Sequence, residues 1–158
     1  MGEHAVTGAS AKRTSSGKRP NPPSFWNMAH ALALKSEHER MQTIRQGMES
    51  VWVEALKKAF DLNRQTLAPL INLSESTLDR RLKARSLLDP VVSERLDRIA
   101  QVAVLAESVF EDKQIAARWM STSNDVLGGK TPLSLCDTEL GARQVRRVLH
   151  SIEWGGVA

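Results

Sequence analysis

The stretch from Asn63 to Arg85, NRQTLAPLINLSESTLDRRLKAR, predicts two short helices separated by a tight turn. The first helix carries apolar residues at helical spacing, at Leu67, Leu70 and Ile71. The small Ala68 lies among them and leaves room for another helix to cross closely. These positions predict one apolar face for the first helix.

Pro69 leaves the start of this helix open between two positions. If Thr66 is the N-cap, the proline falls in the first turn, where a missing N–H group costs no hydrogen bond. If the helix starts at Arg64, the proline lies further inside and the helix is kinked.

Local chemistry also predicts the turn and the second helix. Asn72 tolerates the left-handed conformation that ends a helix, and Ser74 is a natural N-cap for the next one. The second helix turns Leu78 and Leu82 inward. Its outward positions are polar or charged: Glu75, Ser76, Thr77, Asp79, Arg80, Arg81, Lys83 and Arg85.

A small residue on the first helix, a short turn and a basic second helix indicate a divergent helix-turn-helix, whose second helix enters the DNA major groove. The alternative is an ordinary helical hairpin with a solvated basic face. If the segment is a helix-turn-helix, the second helix and its cap contact phosphates and base edges of the DNA. The predicted DNA-binding residues are Ser74, Ser76, Thr77, Arg80, Arg81, Lys83 and Arg85.

The whole chain has the composition of a helical protein. It has 158 residues, of which 41% are hydrophobic, and no segment alternates polar and apolar residues for long enough to be a convincing strand. We therefore expect an all-α fold. The net charge of +4 fits a nucleic-acid partner without requiring one.

Cysteine count and hydropathy bear on location. The single Cys136 excludes an internal disulfide and fits a reducing compartment. Residues 1–24 lack the apolar run of a signal peptide, and no run of apolar residues is long enough to span a membrane. The sequence therefore predicts a cytoplasmic protein with no membrane partner.

Three regions are predicted along the chain. Residues 1–24 are rich in Gly, Ser, Thr and Pro and carry basic residues against one acid, which predicts a disordered basic leader. Residues 25–110 form a helical domain that contains the helix-turn-helix at 63–85. Its last helix starts after the N-cap Asp89 and is long enough to join the two halves of the protein. Residues 111–158 form a small C-terminal domain.

The helices also carry expectations about burial. The stripe that includes Trp52 and Phe60 predicts a helix packed behind the helix-turn-helix. The long helix is expected to expose its acids, Asp97 among them. The last helix is expected to bury Leu140, and a flexible tail is expected after Trp154.

No motif for catalysis fits its surroundings. Gly129-Lys130-Thr131 resembles the end of a phosphate-binding loop, but Asn124 stands where the leading glycine belongs and no buried strand precedes it. The histidines and Cys136 are scattered without metal-ligand spacing, and there is no G-x-S-x-G nucleophile elbow. We therefore expect neither an enzyme nor a bound metal or cofactor.

The C-terminal half contains a specific string of residues. It reads A-x-x-W-M from Ala116, N-x-x-L-G-G-K-T-P-L-x-L from Asn124, and T-x-x-G-x-x-x-V-x-x-x-L-x-x-I-E-x-G from Thr138 to Gly155. The string resembles the toxin-binding domain of Xre-type antitoxins, the partners of RES-type toxins. Residues 76–81, STLDRR, are similar to an S/T-L-x-R-R pattern in that family's divergent helix-turn-helix. Trp154 is a departure, because the family commonly has Tyr before the closing Gly.

This resemblance covers roughly residues 40–155 and implies an antitoxin. Such a protein binds and neutralises a RES-type toxin that degrades NAD, and it represses its own operon by binding operator DNA. We expect the toxin contacts within the string and on the basic face of the last helix. The predicted toxin-binding residues are Asn124, Gly128, Gly129, Lys130, Arg143, Arg146, Glu153, Trp154, Gly155 and Gly156.

Residue types at the end of the chain suggest how the toxin is blocked. A toxin that binds a dinucleotide needs a cationic pocket, which acids on a slender tail can cap. Glu153 and the free carboxylate of Ala158 are the acids near this end, and Gly155-Gly156 let the tail enter a cleft. Whether the tail or the helical body blocks the toxin stays open. Trp154 is the predicted hot spot, whereas Trp119 is predicted to be a core residue.

A second interpretation of the chain is a stand-alone helix-turn-helix regulator. Its C-terminal domain would then dimerise or bind a small ligand. A neighbouring reading frame for a small toxin would favour the antitoxin. In either case a single helix-turn-helix rarely suffices, so we expect a homodimer that reads an inverted repeat, through a surface that the sequence does not assign.

Overall fold

The structure is a computed structural model that describes residue 2 and residues 23–156, so the predicted basic leader lies almost wholly outside the described residues. Within 23–156 the chain folds into helices without a strand, which confirms the all-α prediction. No helix in this range is long and apolar enough to cross a membrane. The helices are α1 Phe25–Ala33, α2 Glu37–Gln46, α3 Val51–Ala59, α4 Arg64–Leu70, α5 Glu75–Ala84, α6 Pro90–Phe110, α7 Lys113–Met120, α8 Pro132–Leu135 and α9 Glu139–Glu153.

Helix α6 is the element around which the others pack. It is 21 residues long, begins at Pro90 after the N-cap Asp89, and contacts α1, α2, α7 and α9. Its buried positions are mostly small or β-branched, which lets helices approach on more than one side. They include Val92, Leu96, Ile99, Ala100, Val102, Ala103 and Ala106. As predicted, this long helix joins the helix-turn-helix half to the C-terminal half.

An aromatic cluster fixes α1 against α3. The Phe25 ring meets the rings of Trp26, Trp52 and Phe60 edge-on, with centroids 5.6, 6.2 and 5.5 Å away. Such pairs stabilise by about 0.5–1.5 kcal/mol each beyond the burial of their area. The main helical partner of α3 is therefore α1, rather than the helix-turn-helix that the sequence predicted.

A short backbone pairing ties the segment after α5 to the segment before α3. The Leu88 N–H group donates to the Met48 carbonyl at 2.8 Å, and the Met48 N–H group donates to Ser93 Oγ at 2.8 Å. Gly47 has a φ of 95°, and a Cβ atom there would overlap the Leu88 carbonyl oxygen. Only glycine fits this approach without a backbone shift.

Asp97 corrects the expectation that α6 exposes all its acids. Its residue surface is 6% exposed, and its carboxylate oxygens accept from Arg40 Nε and Nη2 at 2.9 and 2.6 Å. The hydrogen bond to Asp97 raises the pKa of the Arg40 guanidinium. A bidentate partner satisfies the carboxylate, so a charge can lie on the packed face of α6. The pair also fastens α2 to α6.

Leu140 corrects a second burial prediction, because 69% of its surface is exposed. It precedes Val145 by five residues, which places it about 140° away around a helix of 3.6 residues per turn. The buried face of α9 lies on the other side and comprises Gly141, Ala142, Val145, Val148 and Leu149.

Arg98 connects the long helix to the C-terminal half. Its guanidinium donates to Glu94 at 2.5 Å and to the Cys136 carbonyl at 3.0 Å, and a carboxylate oxygen of Glu139 lies 3.7 Å away. Cys136 is fully buried, and this burial raises the pKa of its thiol to about 12. Arg98 therefore holds the α8–α9 corner, while the thiol beside it stays protonated at neutral pH.

Candidate functional site

The turn between α4 and α5 is fixed by hydrogen bonds at both helix ends. Asn72 has a φ of 63°, and the N–H groups of Asn72 and Leu73 donate to the carbonyls of Pro69 and Ala68 at 3.2 and 2.8 Å. This pattern is a Schellman motif with asparagine in the left-handed position. Ser74 then caps α5 by accepting from the Thr77 N–H group at 3.2 Å. The predicted roles of Asn72 and Ser74 are confirmed.

Helix α4 begins at Arg64, which is the earlier of the two starts that the sequence left open. Asn63 is its N-cap and accepts from the Thr66 N–H group at 2.8 Å, so α4 starts at Arg64. Pro69 therefore lies inside the helix. Arg95 of α6 lies under this end of α4 and donates to the Leu70 carbonyl at 3.3 Å.

The exposed face of α5 presents cations in the second half of the helix. Arg80 and Lys83 are exposed, and with Ser76, Asp79 and Ala84 they line a shallow groove. Asp79 forms an ion pair with Arg64 of α4. Within residues 23–156 neither Arg80 nor Lys83 has an acidic partner, so both side chains are available to a polyanion.

Other predicted DNA-binding residues are already engaged within the protein. Arg81 donates to Asp89 at the start of α6. The Ser74 hydroxyl donates to Thr77 Oγ1 at 2.8 Å in addition to capping α5. Arg85 is exposed and adopts a φ of 50° at the end of α5. Arg80, Lys83 and Arg85 therefore remain as the outward cations of the predicted set, and the exposed Ser76 lies on the same helix.

The loop before α8 is a closed turn built on Asn124. The Asn124 side chain accepts from the Val126 N–H group at 3.0 Å, and its backbone N–H group donates to the Lys130 carbonyl at 3.0 Å. Gly128 and Gly129 have φ values of 68° and 79°. Asn124 is buried and shapes the loop, whereas the two glycines and Lys130 are exposed on it.

The α8–α9 corner explains one glycine of the string. Thr138 caps α9 by accepting from the Gly141 N–H group at 3.0 Å. A Cβ atom at Gly141 would overlap the carbonyl oxygen of Leu135. Glycine is required here because two backbone segments touch, not because of an unusual φ.

Some of the polar residues of α9 that are predicted to bind the toxin are exposed and unpaired, and others interact with a neighbouring side chain of the same helix. Arg143 is exposed, whereas Arg146 forms an ion pair with Glu139. Glu153 lies 3.3 Å from Nδ1 of His150. Trp154 directly follows α9, and 86% of its surface is exposed.

Gly155 and Gly156 form a helix cap instead of starting a flexible tail. The Gly155 N–H group donates to the Ile152 carbonyl at 3.0 Å, and the Gly156 N–H group donates to the Ser151 carbonyl at 2.6 Å. With a φ of 87° at Gly155, this is a second Schellman motif. It fixes the chain direction after Trp154. Val157 and Ala158, with the carboxylate proposed to reach the toxin, lie outside the described residues.

An exposed stripe on α9 was missed by the sequence analysis. Residues at positions 140, 144, 147, 151 and 154 recur at helical spacing and are all exposed. Leu140 lies at one end of the stripe and Trp154 at the other. Val126 of the loop, 61% exposed, borders a groove with Gln144 and Arg147 of the stripe. The helical spacing from Trp154 back to Leu140 was the sequence signal that could have predicted this stripe.

These two surfaces define a class of protein: a helix-turn-helix protein with a second helical domain, whose last helix exposes a stripe with a large apolar residue at each end. Residues 39–101 match the family described as Antitoxin Xre-like helix-turn-helix domain. Residues 105–155 match the Antitoxin Xre/MbcA/ParS C-terminal toxin-binding domain. The boundary between the two matches falls within α6.

Relatives that match about three quarters of the chain agree with both domain matches. The chain is 30% identical over 125 residues to Antitoxin Xre of Pseudomonas putida, which covers 77% of this chain and 76% of the relative. It is 28% identical over 116 residues to Antitoxin Xre of Yersinia enterocolitica, which covers 73% of this chain and 78% of the relative. The protein belongs to the Xre antitoxin family.

Proposed function

We propose that this antitoxin neutralises a RES-type toxin that degrades NAD, and that it represses its own operon by binding operator DNA. The family assignment supports a toxin partner and a DNA-binding domain. The family assignment does not specify the type of toxin or repression of the operon. These two parts of the proposal rest on the resemblance of the C-terminal string and on the exposed surfaces. The observation that carries the proposal is the α9 stripe that ends at the exposed Trp154.

The stripe has the properties of a protein–protein interface rather than of a solvated helix face. Trp154 is 86% exposed and Leu140 is 69% exposed, although both are large and apolar. Their separation along the helix is about 21 Å at 1.5 Å per residue, which suits one side of a standard interface. Exposed Trp residues of this kind are frequent binding hot spots. We infer that the toxin covers the stripe.

The end of α9 is suited to block a cationic nucleotide pocket. Glu153 places a carboxylate next to Trp154, and the Gly155–Gly156 cap holds both on the helix rather than on a loose segment. A dinucleotide-binding site is electropositive, so an acid beside a bulky ring fits its mouth. We propose that the helix end does the blocking, and that inhibition requires neither Val157 nor Ala158.

Repression is assigned to the exposed side of α5. Arg80 and Lys83 are free cations on that side, and Ser76 lies near the N-terminus of the helix. A helix N-terminus and unpaired cations favour phosphates, and arginine also reads guanine edges. Arg85 is a further exposed cation at the end of α5, whereas Ser74, Thr77 and Arg81 of the predicted set are hydrogen-bonded within the protein.

One observation favours the alternative of a regulator that binds a small ligand. A mainly apolar cleft of about 300 Å³ separates α4 from the C-terminal half. Its lining includes the apolar Leu62, Leu70 and Leu133 and the acidic Asp137. Clefts between domains are common ligand sites. This second candidate predicts a chain that acts without a protein partner.

Co-expression with the protein encoded by the adjacent reading frame separates the two candidates. The proposed function predicts that the two proteins co-purify as a stable complex, that the partner alone depletes NAD, and that the complex does not. A partner that neither binds the chain nor consumes NAD contradicts the toxin proposal. Truncation after Gly156 is expected to preserve inhibition, whereas truncation after Glu153 is expected to weaken it.

A further inference from the structure

The exposed stripe of α9 has its large apolar residues at the ends and its polar residues in the middle. Leu140 and Trp154 lie at the two ends, and Gln144, Arg147 and Ser151 lie between them. Protein interfaces usually have the opposite order, with an apolar centre and a polar rim. A partner that covers both apolar ends of the stripe therefore also covers a polar middle.

Arg147 is the central residue of the stripe. It lies seven positions after Leu140 and seven positions before Trp154. Seven residues make almost two turns of an α-helix, so the three residues lie on one side of α9, with about 10 Å of helix between one and the next. One partner surface can therefore contact all three side chains.

The Arg147 side chain has no polar partner in the described part of the chain. The preceding Arg146 is paired with Glu139, whereas the exposed Arg147 forms neither an ion pair nor a side-chain hydrogen bond there. Arg147 borders a groove with Val126 and Gly128 of the neighbouring loop. An arginine stem can lie along such an apolar wall while its guanidinium stays in water.

A protein that covers the stripe removes water from this guanidinium. A buried charge without a counter-charge is strongly unfavourable, so the partner surface must supply an acceptor. A carboxylate is the best match, because it accepts two parallel hydrogen bonds from the guanidinium. A DNA phosphate could also pair with Arg147, but it would leave the apolar Leu140 and Trp154 uncovered. The surface that fits the whole stripe has an acid between two apolar sites.

We propose that Arg147 binds an Asp or Glu side chain of the toxin, and that this acid lies between the sites that receive Leu140 and Trp154. The inference rests on the proposed binding of the toxin to the stripe, and it adds the chemistry of the toxin surface. The apolar ends contribute affinity for any surface with two suitable pockets. The central ion pair selects a toxin with an acid at this point and rejects one with a basic residue there.

Calorimetric titration of the intact chain with the protein of the adjacent reading frame measures the effect of Arg147. Arg147→Met removes the charge and leaves the acid of the toxin buried without its partner, so binding is expected to weaken by about thirtyfold or more. Arg147→Glu places two acids together and should weaken binding further. Arg147→Lys keeps the charge but loses the two parallel donors, so its affinity should lie between those of Arg147→Met and the wild type.

Arg118→Glu is the matched control. Arg118 on α7 is also exposed and forms no ion pair in the described part of the chain, but it lies outside the stripe. The substitution changes the net charge as much as Arg147→Glu does, so it measures the effect of overall charge. It is expected to leave the affinity for the toxin unchanged. Circular dichroism verifies that every variant keeps the wild-type helix content.

Charge exchange identifies the acid on the toxin. Each exposed Asp or Glu of the toxin is changed to Arg in turn, and each toxin variant is titrated with the wild-type chain and with Arg147→Glu. One toxin variant is expected to bind Arg147→Glu about tenfold or more tightly than the unchanged toxin does, and to bind the wild-type chain more weakly. Such compensation shows that the two positions interact directly.

The outcomes separate this inference from the proposed function. A wild-type chain that does not bind the toxin overturns both. If the wild type binds, equal affinity of Arg147→Met, an equal loss from Arg118→Glu and Arg147→Glu, or the lack of a compensating toxin variant overturns this inference alone. If Arg147→Glu weakens operator binding but not toxin binding, Arg147 contacts DNA phosphates, and the inference is again overturned.

Discussion

The guanidinium of Arg81 donates from one nitrogen to both carboxylate oxygens of Asp89, at 3.1 and 3.2 Å. Asp89 occupies the N-cap position of α6, but its side chain accepts no backbone N–H group there. Arg81 has therefore replaced the cap interaction that the sequence predicted for Asp89. The ion pair fixes the end of α5 to the start of α6, and it separates Arg81 from the free cations Arg80 and Lys83.

The salt dependence of operator binding should reflect this separation. Replacing Arg80 and Lys83 together by Ala should reduce the slope of log K against log salt by about two, because each released phosphate contact lowers it by about one. Arg81→Ala should change the slope less than either single replacement, because Asp89 already neutralises Arg81. Binding titrations at several salt concentrations measure the slopes. If Arg81→Ala changes the slope more than either single replacement, Arg81 contacts phosphates in the complex and is no longer paired with Asp89.

Gly141→Ala should unfold the α8–α9 corner. A methyl group there overlaps the Leu135 carbonyl, and overpacking of this kind typically costs about 1–3 kcal/mol or more. Gly128→Ala is the control: its φ is 68°, but open space surrounds it, so only the backbone cost of about 1–2 kcal/mol for a left-handed residue applies. Thermal unfolding compares the two. We expect Gly141→Ala to lose toxin binding first while operator binding persists, and equal stability of both variants would refute the close contact.

Trp154 and Leu140 should carry much of the affinity for the toxin. Trp154→Ala should weaken binding by about 2 kcal/mol, which is roughly thirtyfold. Leu140→Asp should weaken it at the other end of the stripe without loss of stability, because Leu140 is exposed. Ile115→Asp is a control on α7, since Ile115 is also exposed but lies off α9. Calorimetric titration gives the three affinities. If Ile115→Asp were the most damaging, the interface would lie on α7.

Removing one member of the Arg40–Asp97 pair should destabilise the fold. Arg40→Met leaves the carboxylate of Asp97 buried without its partner, which costs about 3–5 kcal/mol for a buried pair and less here because Arg40 is partly exposed. The double variant Arg40→Met with Asp97→Leu should recover much of that loss, since no charge is left unpaired. Urea unfolding of the single and double variants checks this. A double variant less stable than Arg40→Met would indicate that the pair has another role.

Cys136 should report opening of the C-terminal half. Its folded pKa of about 12 lies above the ordinary 9.0, so the protonated thiol is favoured in the folded state. The stabilisation is complete below pH 9.0 and is lost as pH rises from there through about 12. At pH 8 a thiol reagent should label the unfolded chain rapidly and the folded chain only through opening. Toxin should slow the labelling further, and rapid labelling of the folded chain would show that the thiol is accessible.

Much of the helix-turn-helix could be predicted because its determinants are local. The left-handed Asn72 and the Ser74 cap depend on residues within a few positions, so their chemistry is visible in the sequence. The start of α4 was ambiguous because Asn63 and Thr66 can both cap a helix, and the cap is at Asn63, which accepts from the Thr66 N–H group. Leu140 was predictable in principle, because helical periodicity already places it opposite Val145.

Long-range pairs could not be predicted from the sequence. Arg40 and Asp97 are separated by 57 positions, and nothing in either neighbourhood specifies the partner. Likewise glycine is required at Gly141 because of the Leu135 carbonyl. That carbonyl comes close to Gly141 only when α8 and α9 pack together. The Gly155–Gly156 cap was misread because consecutive glycines are typical both of flexible tails and of helix ends. The hydrogen bonds from the Gly155 and Gly156 N–H groups to the last turn of α9 identify this pair as a helix end.

We propose that the α9 end of this antitoxin inhibits a RES-type toxin. This inhibition is tested most directly by following NAD hydrolysis by the purified partner toxin while the intact chain is added. We predict that hydrolysis falls to background at a fixed molar ratio, and that Trp154→Ala requires a much higher concentration to reach the same inhibition. Undiminished NAD hydrolysis in the presence of excess wild-type chain would contradict inhibition by the α9 end.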